Sequence, residues 1–175
     1  MQERVCAQLS CALYEDKSSN MQEEALDQRD RAILRELMRN GRLTNAELAE
    51  RVNLSPSACL RRVRAMEESG LIAGYVMLLD TARANMPGVA FVSVTLKDQG
   101  RITLDKFETA AQRHPEISEC YLIAGPADYV LRVVYRDSAD FERINTKVLT
   151  QLPGVMRVQS ALTLRTVKRT TALPI

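Results

Sequence analysis

From residue 27 onward the apolar positions fall into two regimes, a helical one that ends near residue 70 and a strand-like one that begins near residue 89. Ile33, Leu34, Leu37 and Met38 recur at the spacing of one helix face, with Asp27 placed to cap its start and Gly41 to end it in a left-handed conformation. Thr44-Asn45-Ala46-Glu47 has the form of a capping box and opens a short second helix carrying Leu48, Ala49 and Val52, with Asn53-Leu54 as the turn out. Ser55-Pro56 then restarts the chain as N-cap and first-turn proline, and a third helix runs to Gly70. At about 100° per residue, Cys59, Leu60, Val63 and Met66 of this third helix share one face. Ser57, Ala58, Arg61, Arg62 and Arg64 lie around the remainder. Two helices joined by a tight turn, the second presenting arginines outward, form the helix-turn-helix arrangement that seats a recognition helix in the major groove of double-stranded DNA.

Beyond Gly70 the pattern changes. Residues 71–79 are apolar and β-prone and are expected to give a wing strand, followed by a loop with Asn85 and Pro87. Residues 89–96 predict a strand, and Leu104, Phe107, Ala111 and His114 stripe a helix halted by Pro115. Residues 117–123 and 129–135 predict a hairpin across the turn Ala124-Gly125-Pro126-Ala127-Asp128. Ser138 is the expected cap of a helix carrying Phe141, Ile144, Val148 and Leu152, Pro153-Gly154 stops it, and residues 156–167 predict the last strand. The order βαββαβ is the ferredoxin-like split arrangement. Strands 89–96 and 129–134 are apolar on both alternations, so the sheet face without helices needs a cover. A second copy supplies it, two sheets packing face to face around a two-fold axis as a dimeric α+β barrel with recognition helices roughly 34 Å, or a multiple of that, apart.

The fold class is therefore α+β, a winged helix-turn-helix domain followed by a ferredoxin-like domain. The division read from the sequence is 1–24, an extension expected to be poorly ordered; 25–73, the DNA-binding headpiece; 74–88, wing strand and linker; 89–168, the sensing and oligomerisation domain; and 169–175, a C-terminal tail.

Composition narrows the class without fixing it. Among 175 residues, 46% are apolar and the net charge is only +2, too little to mark a nucleic-acid binder by itself. The placement of charge says more. Arg51, Arg61, Arg62 and Arg64 lie in a stretch free of acids, and no lysine occurs between Asn20 and Leu96, so every cation there is a guanidinium suited to phosphate and guanine edges. No apolar run approaches the roughly 20 residues of a membrane span, and the start Met1-Gln2-Glu3-Arg4 lacks the features of a secretion signal; the expectation is a cytoplasmic protein with no membrane partner. Cys6, Cys11, Cys59 and Cys120 have no metal-ligand spacing and read as free thiols. No cofactor or metal is expected.

Three stretches carry a family resemblance: LDQRDRAILRELMRNGRLTNAELAERVNLSPSACLRRVRAMEESGLIAGY, ECYLIAGPADYVLRV and LPGVMRVQSALTLRTVKRTTALP. Through them the chain resembles the Lrp/AsnC, or feast/famine, regulators of bacteria and archaea. The resemblance implies a winged headpiece, a C-terminal sensing domain, assembly as dimers, tetramers or octamers, and an amino acid as effector. It implies DNA contacts from Ser55, Ser57, Arg61, Arg62 and Arg64. The helix starts at Thr44-Asn45 and Ser55-Pro56 are structural caps whose free amides can also donate to phosphate. It places the effector at the turn of Gly125 and Asp128, with Leu122 on the strand before it. The sequence departs from relatives at Ala84-Asn85-Met86-Pro87, where many carry a Leu-Gly pair, and at Pro126-Ala127, where polar or aromatic residues are frequent.

Each reading has a plainer rival. Gly125 and Asp128 could serve the turn alone, the aspartate bonding its own turn amides. In the functional reading the turn amides hold an amino acid's carboxylate, Asp128 its ammonium group, and Leu122 sizes the side chain. A nucleoid-architectural protein that bends DNA with little ligand response is one alternative. An enzyme on the same fold is another, but the single histidine, His114, has no nucleophile or metal-ligand partner in sequence, so no catalytic residue is assigned.

Overall fold

The structure, a computed structural model, describes residues 26–175, so the expected extension at 1–24, with Cys6 and Cys11, lies outside the described residues. Asp27 caps α1 (Gln28–Arg39), its carboxylate accepting the amide of Asp30 at 2.8 Å. The expected left-handed end at Gly41 does not occur. Asn40 leaves the helical region instead (φ −147°, ψ 94°), and its side-chain oxygen accepts the amide of Arg42 at 3.0 Å, an Asx turn that makes glycine's freedom unnecessary. The capping box forms as read: Thr44 Oγ1 accepts the Glu47 amide at 3.3 Å and Glu47 accepts the Thr44 amide at 2.8 Å, opening α2 (Asn45–Arg51). Asn53, at φ 52°, turns the chain into α3 (Pro56–Glu68), whose N-cap Ser55 accepts the amide of Ala58 at 3.3 Å.

Ile33, Leu34, Leu48, Ala49, Val52, Cys59 and Met66 make the core of this three-helix unit. One further contributor comes from far along the chain: Ile175 packs against the same core, and its carbonyl accepts Arg35 Nε at 2.8 Å. Among the described residues the compact unit accordingly comprises 26–77 together with Lys168–Ile175, and the segment expected to be a separate tail is part of the headpiece. The expected wing strand does not form. Residues Tyr75, Val76, Met77, Leu78 and Leu79 are 51–80% exposed and take no place in any ladder. A strand is stabilised by its neighbour's hydrogen bonds, and none of the described residues supplies them here.

The second unit, Leu78–Val167, contains β1 (Gly88–Leu96), α4 (Arg101–Ala111), β2 (Ile117–Leu122), β3 (Tyr129–Tyr135), α5 (Ser138–Lys147), a short 3₁₀ turn at Leu149–Gln151 and β4 (Val155–Leu162). The antiparallel sheet runs β2-β3-β1-β4, the order required by βαββαβ connectivity. Alternate residues Ala90, Val92 and Val94 of β1 and Tyr129, Leu131 and Val133 of β3 are buried against Phe107 and Ala111 of α4 and Ile144 of α5. Three expectations change in detail. His114 lies beyond α4 and not on its stripe; α5 is capped by Asp137, which accepts the Asp140 amide at 2.8 Å, with Ser138 its first residue; and β4 stops at Leu162 instead of 167. The open sheet face is mixed, because Ser93, Thr95 and Arg132 share it with Val89, Phe91, Val130 and Tyr121. Among the described residues no helix is long and apolar enough to cross a membrane.

Gly88 begins β1 directly opposite Tyr135, and a methyl group there would land on the Tyr135 ring, itself packed on Phe141 with centroids 5.0 Å apart. Gly88→Ala must therefore push one aromatic off another, and is expected to destabilise the second unit by about 1–3 kcal/mol, the usual penalty of overpacking. Chemical denaturation of the full chain measures it, and an unaltered midpoint would reject the close packing.

Candidate nucleic-acid interface and effector turn

The helix-turn-helix is tied together at its vertex. Asn45, at the head of α2, donates Nδ2 to the carbonyl of Pro56 at the head of α3 (2.8 Å), so the two helix starts share one fixed geometry. Thr44 spends its hydroxyl on Glu47 and Ser55 its hydroxyl on the helix start, with Ser57 Oγ 3.3 Å from Ser55 Oγ. These four residues lie together at one end of α3, and Thr44, Ser55 and Ser57 are exposed.

The arginines separate into two kinds. Arg62 turns inward: its guanidinium meets Asp27 at 2.7 Å and Asp30 at 2.8 Å, both at the start of α1. Asp30 and then Asp27 hold Arg62 above its ordinary value, and Asp27 is held below the usual carboxylate range by the Asp30 amide and by Arg62. The reading of Arg62 as an outward contact is thus corrected: it clamps α3 onto α1. Arg51 likewise pairs with Glu36 at 3.1 Å. Arg61 and Arg64, by contrast, are exposed and join no ion pair among the described residues. They line a shallow hollow of about 380 Å³ with Ser57, Leu60, Ala65 and Glu68. Leu60 is the second correction. Placed on the packing face by periodicity, it is 38% exposed and belongs to the outward surface, whereas Cys59 and Met66 are buried.

In the second unit, Leu122 is 60% exposed at the end of β2, and Gly125 stands at the tip of the turn with open space where a Cβ would be. Asp128 is not beside them at the surface. It is buried, and its two oxygens accept the Leu96 amide and Gln99 Nε2, each at 2.7 Å. Its own amide donates to the Val94 carbonyl at 3.0 Å. Asp128 therefore does not bond its own turn amides, as the plainer sequence reading had it. It fastens the turn to the end of β1. The structure brings Leu122 and Gly125 to one exposed end of the hairpin and sets Asp128 beneath, a role that sequence could signal only as an acid next to a strand.

Comparison with known proteins matches both units. Residues 26–73 match the family described as winged helix-turn-helix DNA-binding, and residues 89–173 the Lrp/AsnC ligand binding domain. The leucine-responsive regulatory protein of Escherichia coli K12 is 38% identical over 150 residues, covering 86% of this chain and 92% of that protein. An uncharacterized HTH-type transcriptional regulator of Sinorhizobium fredii is 47% identical over 116 residues, 66% of this chain and 91% of the relative. Among solved structures, a Neisseria meningitidis transcriptional regulator in complex with L-methionine superposes with a TM-score of 0.82 at 37% identity, over 85% of this chain and 96% of that one. A Mycobacterium tuberculosis feast or famine regulatory protein, also complexed with L-methionine, gives 0.74 at 32% identity, over 85% and 99%. Headpiece and sensing unit thus agree, and the chain belongs to the Lrp/AsnC family of DNA-binding transcriptional regulators.

Proposed function

We propose that this regulator acts in the cytoplasm as a homo-oligomer, reads duplex DNA with α3, and responds to an amino acid held at the 124–128 turn. The observation that carries the DNA half is the outward pair Arg61 and Arg64, without an ion pair among the described residues, beside Ser57 on a helix whose start is fixed by Ser55 and by the Asn45 tie. Arg61 and Arg64 are the base readers in this reading. Thr44, Asn45 and Ser55 bring two helix starts to the phosphates, and Arg62 positions α3. Selection of duplexes from a random pool by the full-length protein tests it: one recurring half-site, bound at least about a thousandfold more tightly than bulk DNA, is the expected result. A specificity ratio near unity would favour the architectural reading.

Assembly is supported by the apolar run of residues 75–79, which has no ladder partner among the described residues, and by Phe91 and Tyr121 exposed on the open sheet face. A second copy about a two-fold axis gives that run its own equivalent as partner and covers the face. Sedimentation of the full chain at micromolar concentration is expected to give a dimer or larger.

The amino-acid half is supported by the L-methionine complexes of the Neisseria and Mycobacterium relatives. A thermal-shift panel of the twenty amino acids identifies the effector, since a ligand that binds only the folded state raises its apparent stability. The Asp128 variants then separate two roles. Asp128→Ala strips the buried Leu96 amide of its acceptor and is expected to destabilise the second unit by about 1–3 kcal/mol. Asp128→Asn keeps an acceptor for that amide. Its amino-acid response is expected to shift by roughly ten- to a hundredfold if the carboxylate holds the ammonium group. An unchanged midpoint in a folded Asn variant leaves Asp128 as the fastener of the turn.

A further inference from the structure

We propose that Leu60 reads the C5-methyl group of a thymine in the major groove, and so determines specificity at one base pair next to those read by the arginines. The proposal rests on α3 being the helix that enters the groove. Isolated exposed leucines are ordinary on protein surfaces; what distinguishes Leu60 is its company. It is 38% exposed and shares one hollow with Ser57, one turn before it, and with Arg61 and Arg64. It stands in the second turn of α3, in the half of a recognition helix that approaches base edges most closely.

The chemistry of that hollow is divided. The guanidinium groups complement the O6 and N7 acceptors of guanine, and Ser57 can meet a donor or an acceptor. Leu60 offers no hydrogen bond at all. The one group on the major-groove floor that an isobutyl side chain complements is the thymine methyl, which cytosine, adenine and guanine lack. Placed opposite any other base, Leu60 would cover polar edges and leave them without water or a partner, a penalty that selects thymine from the other direction too.

The test uses duplexes selected by the full-length protein from a random pool, with each thymine of the half-site replaced in turn by deoxyuracil. That change removes the methyl and nothing else. One position per half-site is expected at which uracil weakens wild-type binding about fourfold, the value of one buried methyl group. At that position Leu60→Ala should bind thymine and uracil duplexes alike, and Leu60→Met should still prefer thymine. The wild-type arm needs no variant and so stands clear of any folding defect. The proposal is overturned if uracil is neutral at every position, or if the penalty persists in Leu60→Ala. Arg61→Ala and Arg64→Ala on the same duplexes keep the two ideas apart. If they too bind unchanged, the assignment of α3 to the groove fails; if they lose affinity while uracil stays neutral, only the methyl contact does.

Discussion

Replacing Arg61 by alanine is expected to weaken operator binding by about 1–3 kcal/mol per half-site and to relax preference at a single base pair, the signature of a lost bidentate contact to guanine. In the two-fold assembly proposed above that contact is lost twice, for an expected effect of about 2–6 kcal/mol. Arg61 is exposed, and it makes no ion pair among the described residues, so its removal disturbs little else. Arg62→Ala should behave differently despite being its neighbour. It breaks the pairs to Asp27 and Asp30 at 2.7 and 2.8 Å, loosening α3 on α1, and should weaken all sequences by similar amounts. Competition assays against operator and scrambled duplexes, each across a salt titration, distinguish the two. Operator affinity equal to wild type in Arg61→Ala and Arg64→Ala alike would end the recognition-helix assignment. A parallel loss on both duplexes would make these residues phosphate contacts, with the salt slope lower by about one ion for each.

The largest expected loss of stability lies in the second unit. Phe107 is fully buried beneath the sheet, with its ring centroid 4.5 Å from that of Tyr129, whose hydroxyl donates to Glu108 Oε1 at 2.6 Å. Phe107→Ala removes the ring around which β1, β3 and both helices pack, and is expected to cost about 3–5 kcal/mol. Domains of this size are typically stable by about 5–15 kcal/mol, so the variant should sit close to its unfolding threshold at 37 °C. Hydrogen exchange on the full chain localises the change: amides of β1 and β3 should lose protection while those of α1 to α3 keep theirs, because Phe107 belongs to only one of the two cores. A loss below about 1 kcal/mol would show that the cavity collapses or that the ring is not central.

Local signals in the sequence carried the fold well. The caps at Asp27, Thr44 and Ser55, and the strand Tyr129–Tyr135, follow from residues within a few positions of one another, and there the reading and the structure coincide. The errors have a common cause, which is that the deciding partner lies elsewhere. Arg62 looked free because Asp27 and Asp30, 35 and 32 positions earlier, become its neighbours only when α1 docks. Leu60 sits at the border of the apolar arc, where angle alone does not decide, and the α3 packing leaves it outside. Residues 71–79 have the composition of a strand but no pairing strand among the described residues. At the start of α5, Asp137 and Ser138 are both good caps in adjacent positions, and the choice depends on where the helix begins. At the 124–128 turn the expected bonds do not form: Asp128 reaches Leu96 and Gln99, which belong to another strand and its loop.

The packing of Ile175 into the headpiece has a consequence for the order of events during synthesis. A ribosome releases the three helices long before it adds the residue that Arg35 holds 140 positions later. Closing so long a loop is entropically unfavourable until the intervening unit has condensed and shortened the effective path. The contact of Ile175 with the headpiece is therefore expected to form after the second unit has condensed. A chain whose translation stops within the second unit is therefore expected to carry a headpiece without the partly buried Ile175 and the carbonyl that Arg35 holds.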